Sequence, residues 1–338
     1  MPFDTPGATR RFFVKFRPSV GVLMETEIWP NLLHAAHSTG VPMVLANARL
    51  SERSRLKGQR LDWLIRPAVK SLGCVLAQTD ADAKRLRQSG AQGVQTCGNL
   101  KFDMTPDPAL LARGHLWRAQ ASRPVVLMAS SREGEEAQLL DAWKALPTPR
   151  PQLLIVPRHP QRFDEVANLV RDSGLTLARR SDWSAAPTAS AFDADVWLGD
   201  SMGEMALYFA ASQACLLGGS FAPLGGQNLI EAAACGCPVL MGPHTFNFAD
   251  ASEKSVDVGA SIRVLDTAEA VRVAVKLVSD PLKRREMQNR ALLFAAAHRG
   301  AARRMASVIA GLMPFSLWGA RPESAKPKIN PGEEIAGE

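Results

Sequence analysis

Short apolar runs alternate with helix-length amphipathic stretches along most of this 338-residue chain. The alternation is typical of βα units, in which helices cover both faces of a buried parallel sheet. The first series predicts strands at 21–24, 43–46 and 74–77, and helices at 31–38, 51–72 and 80–89, the last with Asp80 as its N-cap.

A proline-rich break, Met104-Thr-Pro-Asp-Pro, separates this series from a second one, because closely spaced prolines interrupt helices and strands. The second series predicts strands at 125–129, 153–156, 196–198, 214–218 and 239–241, and helices at 134–146, 163–173, 202–211, 227–234, 267–279, 282–298 and 301–312. We therefore expect an α/β protein with domains at 1–104 and 105–318. The residues 319–338 lack apolar periodicity and predict a disordered tail.

Composition narrows the class of protein. A hydrophobic content of 46% with 22% charged residues is sufficient for a buried core. The five cysteines are odd in number and scattered, which favours buried thiols in a reducing compartment over disulfides or a zinc site. The longest apolar runs are of strand length, well short of the roughly 20 residues of a spanning helix, and the first residues do not form a signal peptide.

The net charge of +7 arises largely in the first half of the chain. A basic surface attracts polyanions, and phosphorylated lipid or an anionic leaflet suits it as well as nucleic acid does. A solvated helix face explains the same charges equally well. The early cations are Arg10, Arg11, Lys15, Arg17, Arg49, Arg53, Arg55, Lys57, Arg60 and Arg66.

The most informative junction between a strand and a helix is Gly218-Gly-Ser-Phe-Ala-Pro-Leu-Gly-Gly-Gln-Asn-Leu-Ile-Glu. Its four glycines allow close approach of the backbone, and its N–H groups suit a phosphate. Asn228 and Glu231 lie three residues apart on the first helical turn, where the carboxylate suits ribose hydroxyls. The alternative is a simple turn in which Glu231 only caps its helix.

Other junctions carry weaker signals of the same kind. Arg158 follows a strand directly and could pair with a phosphate or a carboxylate, whereas His159 is at best a positioning residue or a local hydrogen-bonding group. The segments Gly199-Asp-Ser-Met-Gly-Glu and Ser130-Ser-Arg-Glu-Gly-Glu-Glu are compatible with phosphate binding or with ordinary helix capping.

Two further candidates lie in the first series. In Met24-Glu-Thr-Glu-Ile-Trp-Pro-Asn, Glu25 and Glu27 follow a strand predicted to be buried, which is an unfavourable place for acids and favours a functional role for one of them. The alternative is that both are acids of a helix N-terminus. Lys101, in Gly98-Asn-Leu-Lys-Phe-Asp, lies just before the proline-rich break, from where it could reach a cleft that the two predicted domains face.

These segments together resemble the 3-deoxy-D-manno-octulosonic acid (Kdo) transferases, inverting glycosyltransferases of the two-lobed GT-B class. The resemblance covers nearly the whole chain. It is carried, in order, by Met24-Glu-Thr-Glu-Ile-Trp-Pro-Asn, Ala46-Asn-Ala-Arg-Leu-Ser, Leu100-Lys-Phe-Asp, Pro157-Arg-His-Pro, Gly199-Asp-Ser-Met-Gly-Glu, Gly218-Gly-Ser, Asn228-Leu-Ile-Glu and Gly242-Pro-His-Thr-Phe-Asn-Phe. Arg132 and Gln227 stand where many members of the family carry histidine, and both still donate hydrogen bonds.

The resemblance implies two Rossmann-like lobes whose parallel sheets face a cleft. It implies transfer of Kdo from CMP-Kdo to a lipid A precursor (lipid IVA) in lipopolysaccharide core biosynthesis, without metal, at the cytoplasmic face of the inner membrane. Glu25 and Lys101 are the implied transition-state stabilisers. The implied CMP-binding residues are Pro157, Arg158, Ser201, Met202, Gly203, Glu204, Asn228, Leu229, Ile230 and Glu231.

The resemblance also implies partners and an incomplete N-terminal lobe. The implied partners are CMP-Kdo, the lipid acceptor and an anionic membrane surface, with no nucleic acid. The family's membrane anchor, opening strands and glutamate general base precede the segment that Met1-Pro-Phe-Asp-Thr-Pro resembles, so truncation is expected. Alternatives are a nucleotide-sugar-binding fragment with impaired catalysis, and a UDP-sugar transferase or epimerase.

Overall fold

The computed structural model describes residues 1–313, which form two compact units. The first unit contains Met1–Gly98 together with residues 302–313, and the second contains Asn99–Ala301. The predicted tail at 319–338 lies outside the described residues. Each unit has its own parallel sheet and its own hydrophobic core, as the repeated strand and helix pattern indicated.

The first unit is a four-stranded parallel sheet with the strand order β1-β2-β3-β4. Its core packs apolar helix faces against β2 and β3, whose residues are all buried. Its elements are α1 (Pro6–Phe16), β1 (Gly21–Met24), α2 (Pro30–Ser38), β2 (Met43–Ala48), α3 (Glu52–Gly58), a 3₁₀ helix (Gln59–Leu61), α4 (Asp62–Lys70), β3 (Cys74–Ala77), α5 (Asp80–Gln88) and β4 (Val94–Thr96).

The second unit is a seven-stranded parallel sheet with the strand order β11-β10-β9-β5-β6-β8-β7. Its strands and 3₁₀ helices are β5 (Val125–Ser131), β6 (Gln152–Pro157), β7 (Leu177–Arg179), β8 (Val196–Leu198), β9 (Ala214–Leu217), β10 (Val239–Met241), β11 (Ser261–Arg263), and Leu100–Asp103, Pro160–Arg162, Arg180–Asp182 and Phe246–Phe248. Its helices are α6 (Pro108–Gln120), α7 (Glu135–Lys144), α8 (Phe163–Asp172), α9 (Ala189–Asp193), α10 (Met205–Ala211), α11 (Leu229–Ala234), α12 (Ala249–Asp257), α13 (Thr267–Val278) and α14 (Pro281–Ala297).

The last described helix, α15 (Ala301–Gly311), falls almost entirely within the first unit. The domain prediction put a boundary after residue 104 and grouped this helix with the second domain. In the structure the second compact unit begins at Asn99 and ends at Ala301. The chain therefore passes from the first unit to the second and returns to the first.

Several local predictions were wrong. The predicted helix at 51–72 is divided into α3, a 3₁₀ turn and α4, and α1, α6, α12 and the three-residue strands β4, β7 and β11 were not predicted. Thr79, not Asp80, is the N-cap of α5, because the Thr79 hydroxyl accepts from the Asp82 amide at 3.0 Å. No helix within residues 1–313 combines the length and apolarity needed to cross a membrane.

Candidate nucleotide-sugar site

The strand order of the second sheet reverses between the neighbouring parallel strands β5 and β9. Strands β6, β8 and β7 continue the sheet on the side of β5, and β10 and β11 continue it on the side of β9. In open parallel sheets, ligands bind at the carboxyl ends of the strands beside such a reversal. The loop after β5 begins at Arg132, and the loop after β9 begins at Gly218. The glycine-rich junction predicted from the sequence therefore lies at the position that favours ligand binding.

The loop after β9 approaches the backbone of β5 closely. A Cβ atom on Gly218 would overlap the Ser130 carbonyl group, and Gly219, Gly225 and Gly226 have φ values of 69°, 90° and 75°. Only glycine adopts these conformations without strain, so the glycines are required by the fold of this loop. They also allow the Gly226 amide to donate to the Gly219 carbonyl at 2.8 Å, which closes the loop on itself.

Three amides of this loop already bind an anion, and it belongs to the protein. Glu135, at the start of α7, accepts hydrogen bonds from the amides of Gly219 (2.8 Å), Phe221 (3.2 Å) and Ala222 (3.4 Å). The prediction that the N–H groups of the glycine-rich junction hold a phosphate therefore fails for these three. The amides of Gln227 and Asn228 have no acceptor among the described residues, so they remain available to a ligand.

Helix α11 presents two of the predicted binding residues and buries the other two. Asn228 is its N-cap and accepts from the Ile230 amide at 3.2 Å, while Leu229 and Ile230 are buried in the core and offer a ligand only backbone. Glu231 is partly buried, and burial raises the pKa of its carboxyl, with the charge of Arg158 opposing the shift. No described side chain donates a hydrogen bond to Glu231, so its oxygens remain free to accept from a ligand.

Arg158 and His159 follow β6 at the same edge of the sheet. Pro157 is buried, whereas Arg158 is exposed and is anchored by its amide, which donates to the Ser131 carbonyl at 3.0 Å. The guanidinium is close enough to influence the Glu231 carboxyl. A cation and an unpaired carboxylate thus lie together at the carboxyl edge of the sheet, which suits a nucleotide with a phosphate and a ribose.

The turn after β8 contains Ser201, Met202, Gly203 and Glu204. Met202 is 66% exposed, and α10 begins at Met205 instead of the predicted 202. The Glu204 carboxylate accepts from Ser201 Oγ (2.5 Å), and also binds Arg180 (2.9 Å) and Arg113 (3.4 Å). Burial alone would raise the pKa of Glu204, but these hydrogen bonds and charges hold it below its usual value. Glu204 therefore fixes the turn.

Lys101 lies on the 3₁₀ helix Leu100–Asp103, which packs against α11. Its Nζ lies 4.5 Å from the centroid of the Phe248 ring, a cation–π contact that limits where the ammonium group can point. The buried ring of Phe102 next to Lys101 packs against Phe294 and anchors this short helix. The second unit therefore places Lys101 beside the helix that carries Glu231.

Glu25 belongs to the first unit. The prediction that β1 is a buried strand was wrong, because Val22 and Met24 are exposed on this edge strand. Glu25 adopts φ 54°, an uncommon conformation for a residue with a side chain, and pairs with Arg49 (3.3 Å) while 36% of its side chain is exposed. Glu27 is exposed.

A cavity with about 100 Å³ accessible to water lies beside Glu25 in the first unit. Its lining combines apolar core residues, including Leu45, Ile65 and Val69, with the Glu25 and Arg49 pair.

The cysteines are free and buried, as the scattered spacing predicted. Burial raises the pKa of the Cys235 thiol to about 12, so it is not a nucleophile at neutral pH. Within the described residues, no three His, Cys, Asp or Glu side chains cluster as a metal site would require.

Comparison with known proteins places this geometry in a family. Residues 1–104 match the family model described as 3-deoxy-D-manno-octulosonic-acid transferase (kdotransferase). The chain is 48% identical over 309 residues to the 3-deoxy-D-manno-octulosonic acid transferase of Bordetella pertussis, covering 90% of this chain and 72% of that protein. It is 33% identical to that of Haemophilus influenzae, covering 91% of this chain and 73% of that protein.

Solved structures agree. The C-terminal CMP-Kdo binding domain of WaaA from Acinetobacter baumannii is 30% identical with a TM-score of 0.51, covering 56% of this chain and 98% of that one. UDP-GlcNAc 2-epimerase from Neisseria meningitidis has a TM-score of 0.58 at 16% identity, covering 90% and 80%, and shows the fold alone. The chain thus belongs to the 3-deoxy-D-manno-octulosonic acid transferases, which are glycosyltransferases of the GT-B fold.

Proposed function

We propose that this protein transfers Kdo from CMP-Kdo to a lipid A precursor, lipid IVA, in lipopolysaccharide core biosynthesis. The observation that carries the proposal is the unpaired Glu231 carboxylate beside Arg158 at the sheet reversal, in a unit similar to a domain described as CMP-Kdo binding. The donor, the acceptor and the individual residue roles below are parts of this proposal.

The donor would bind through its nucleotide. Glu231 would accept hydrogen bonds from ribose hydroxyls, while Arg158 and the free amides of Gln227 and Asn228 would meet the phosphate. Pro157, Leu229 and Ile230 would act through their backbone, since their side chains are buried. The turn of Ser201, Met202, Gly203 and Glu204 would border the nucleotide, with Glu204 holding the turn in shape.

Lys101 and Glu25 would stabilise the transition state. The reaction breaks the bond between the anomeric carbon of Kdo and the phosphate oxygen, which leaves with CMP. It forms a bond from that carbon to an acceptor hydroxyl oxygen, whose proton passes to a base or to solvent water. Negative charge develops on the departing phosphate, and a cation held in place beforehand, as Lys101 is by Phe248, stabilises that charge without rearrangement. The ion pair with Arg49 would orient the Glu25 carboxylate.

We propose that no metal or organic cofactor takes part. CMP is a leaving group whose charge the side chains Arg158 and Lys101 can meet directly. Transfer should therefore continue at an unchanged rate in excess EDTA, and a loss of rate that Mg²⁺ restores would contradict this part of the proposal.

The acceptor and the membrane would meet the first unit. Its α3–α4 segment carries several cations, and Trp63 beside them is 75% exposed. Helix α1 adds Lys15 and the exposed ring of Phe16. Exposed aromatic and apolar side chains among cations suit an anionic lipid surface, and the protein would act peripherally at the cytoplasmic face of the inner membrane. Nucleic acid is not a proposed partner.

The decisive experiment is binding and turnover with the purified chain. Isothermal titration should show CMP binding more tightly than UDP, and Glu231→Ala should weaken CMP. Mass spectrometry should detect Kdo added to lipid IVA when CMP-Kdo is supplied. Preference for UDP would contradict the donor assignment, and CMP binding without transfer would identify a nucleotide-sugar-binding protein that lacks catalysis.

The membrane proposal needs its own measurement. Sedimentation with vesicles of anionic lipid should capture the chain at low salt, and Trp63→Ala should reduce capture. Equal capture by neutral vesicles, or none by anionic ones, would contradict the proposed surface.

A further inference from the structure

Glu135 is a buried acid that the proposed donor contacts do not use. It lies in the first turn of α7 with 2% of its surface exposed. Besides the three amides of the loop after β9, its Oε2 accepts from the Arg132 amide at 2.9 Å. Its two oxygens thus join the loops after β5 and β9, the two strands that flank the reversal of the sheet.

The four donors compensate in part for burying this charge, because burial still raises the pKa of the Glu135 carboxyl against the lowering effect of these hydrogen bonds. A carboxylate removed from water costs several kcal/mol unless hydrogen bonds replace its hydration. Both Glu135 oxygens accept backbone hydrogen bonds, as a carboxylate with two acceptor oxygens can. An array of amides beside a residue with positive φ, here Gly219, attracts an anion in many proteins. In this chain the anion is internal.

The anchoring extends to the donor-facing end of the loop. Gly219 donates to Glu135 at 2.8 Å and accepts from the Gly226 amide at 2.8 Å. Gly226 immediately precedes Gln227 and Asn228. Releasing Gly219 would therefore release Gly226, which lies two residues before Asn228, the N-cap of α11. The position of Glu231 on the first turn of α11 would then be less well fixed.

We infer that Glu135 is a positioning residue for donor binding, which holds the glycine-rich loop so that Asn228 and Glu231 face the nucleotide. It acts through the loop and does not contact the donor. The inference rests on the proposed function, because it assigns the nucleotide to this site.

The chain supplies a matched control in Glu136, the next residue of α7. Glu136 is 1% exposed and pairs with Arg162 through two hydrogen bonds, of 2.7 and 3.2 Å. Glu136→Gln removes a buried charge from the same helical turn without touching a loop amide. It separates a general loss of stability from a loss of loop anchoring.

Two measurements test the inference. Without ligand, hydrogen exchange followed by mass spectrometry should show the peptide 217–226 exchanging about tenfold faster in Glu135→Gln. The glutamine side chain has only one oxygen that accepts hydrogen bonds, whereas the glutamate has two, so some loop amides lose their acceptor. Titration should show the Kd for CMP rising about tenfold or more in the same variant. Glu136→Gln should lower Tm comparably, with the exchange of this peptide and the Kd within twofold of the unchanged protein.

The outcomes are distinct. The inference would be overturned if both variants weakened CMP binding equally, or if Glu135→Gln left the exchange of the peptide and the affinity for CMP unchanged. If Glu135→Gln does not fold, Glu135→Asp, which keeps the charge but not the reach, is expected to show a smaller rise of both quantities, and wild-type values in it would also overturn the inference. Failure of the unsubstituted protein to bind CMP would instead reject the proposed function, while the exchange measurement would still decide whether Glu135 orders the loop.

Discussion

The turn after β8 and the loop after β9 use acidic residues in opposite ways. At the turn after β8, Glu204 is bound by Ser201, Arg180 and Arg113, and its pKa lies below the usual value although burial opposes that shift. At the loop after β9, Glu231 has no bound donor among the described residues, and burial raises its pKa. The two carboxylates lie at the same edge of one sheet but differ in their partners.

The difference separates structural acids from acids that are available to a ligand. A carboxylate with two cations and a hydroxyl stabilises the fold, and removing it leaves those partners unsatisfied. A partly buried carboxylate without a partner weakens the fold slightly, and such a group persists at sites where a ligand supplies the missing hydrogen bonds. Glu135 is a structural acid by this criterion, although its carboxylate binds the loop that borders the proposed nucleotide site.

The largest expected effect is on stability at the turn after β8. Glu204→Ala should reduce the free energy of unfolding by about 3 kcal/mol, because Arg180 remains largely buried without its carboxylate. Calorimetry should show a lower Tm, by roughly 5–10 °C. The exposed Glu253→Ala should change the free energy of unfolding by less than about 0.5 kcal/mol. A wild-type Tm in Glu204→Ala would show that the network contributes nothing.

The next effect is on affinity at the loop after β9. Glu231→Ala should weaken the binding of CMP by about 2 kcal/mol, roughly 30-fold in Kd, because hydrogen bonds to a charged acceptor are lost. Its Tm should stay unchanged or rise, since a partly buried, unpaired charge is removed. Titration calorimetry and a thermal melt on the same sample measure both quantities. A lowered Tm with unchanged Kd would show that Glu231, like Glu204, stabilises the fold and does not bind the ligand.

A smaller effect concerns pH. Glu231 has a folded pKa above its unfolded value, so its contribution to stability is greatest below the unfolded pKa and falls as pH rises through the folded pKa. Ligand binding needs the ionised form, so in a titration from pH 8 to pH 5 the affinity should begin to fall at a higher pH than it would for an ordinary glutamate. Cytidine is the suitable probe, because it has no phosphate to titrate.

The control for the pH effect is Glu231→Gln. Its affinity for cytidine should be lower and nearly constant over the same range, and its Tm relative to wild type should be higher at pH 8 than at pH 5. A profile with the same slope in both proteins would assign the pH dependence to another group.

The amino-acid sequence predicted the βα repetition, two parallel sheets and the junctions that carry Arg158, Asn228 and Glu231. Buried strands have strong apolar signals, and most were placed within one or two residues. The sequence did not predict how junctions interact. The acidic segment after β5 was noted for phosphate binding, but the contact between Glu135 and Gly219 joins residues far apart in the chain. The missed strands β4, β7 and β11 mix polar with apolar residues and are less buried, whereas the equally short β8 and β10 are wholly apolar and buried and were predicted.

The smallest expected effect concerns Phe248, a residue whose role only the folded chain reveals. Phe248→Leu keeps an apolar side chain but removes the cation–π contact with Lys101, which is worth about 0.5–1 kcal/mol. If Lys101 stabilises the transition state, the rate of Kdo transfer should fall about two- to fivefold while the Kd for CMP stays constant. Phe248→Trp should retain the rate, because its ring binds cations at least as well. An unchanged rate in the leucine variant would show that Lys101 needs no aromatic support, and an equal loss in both variants would assign the effect to packing.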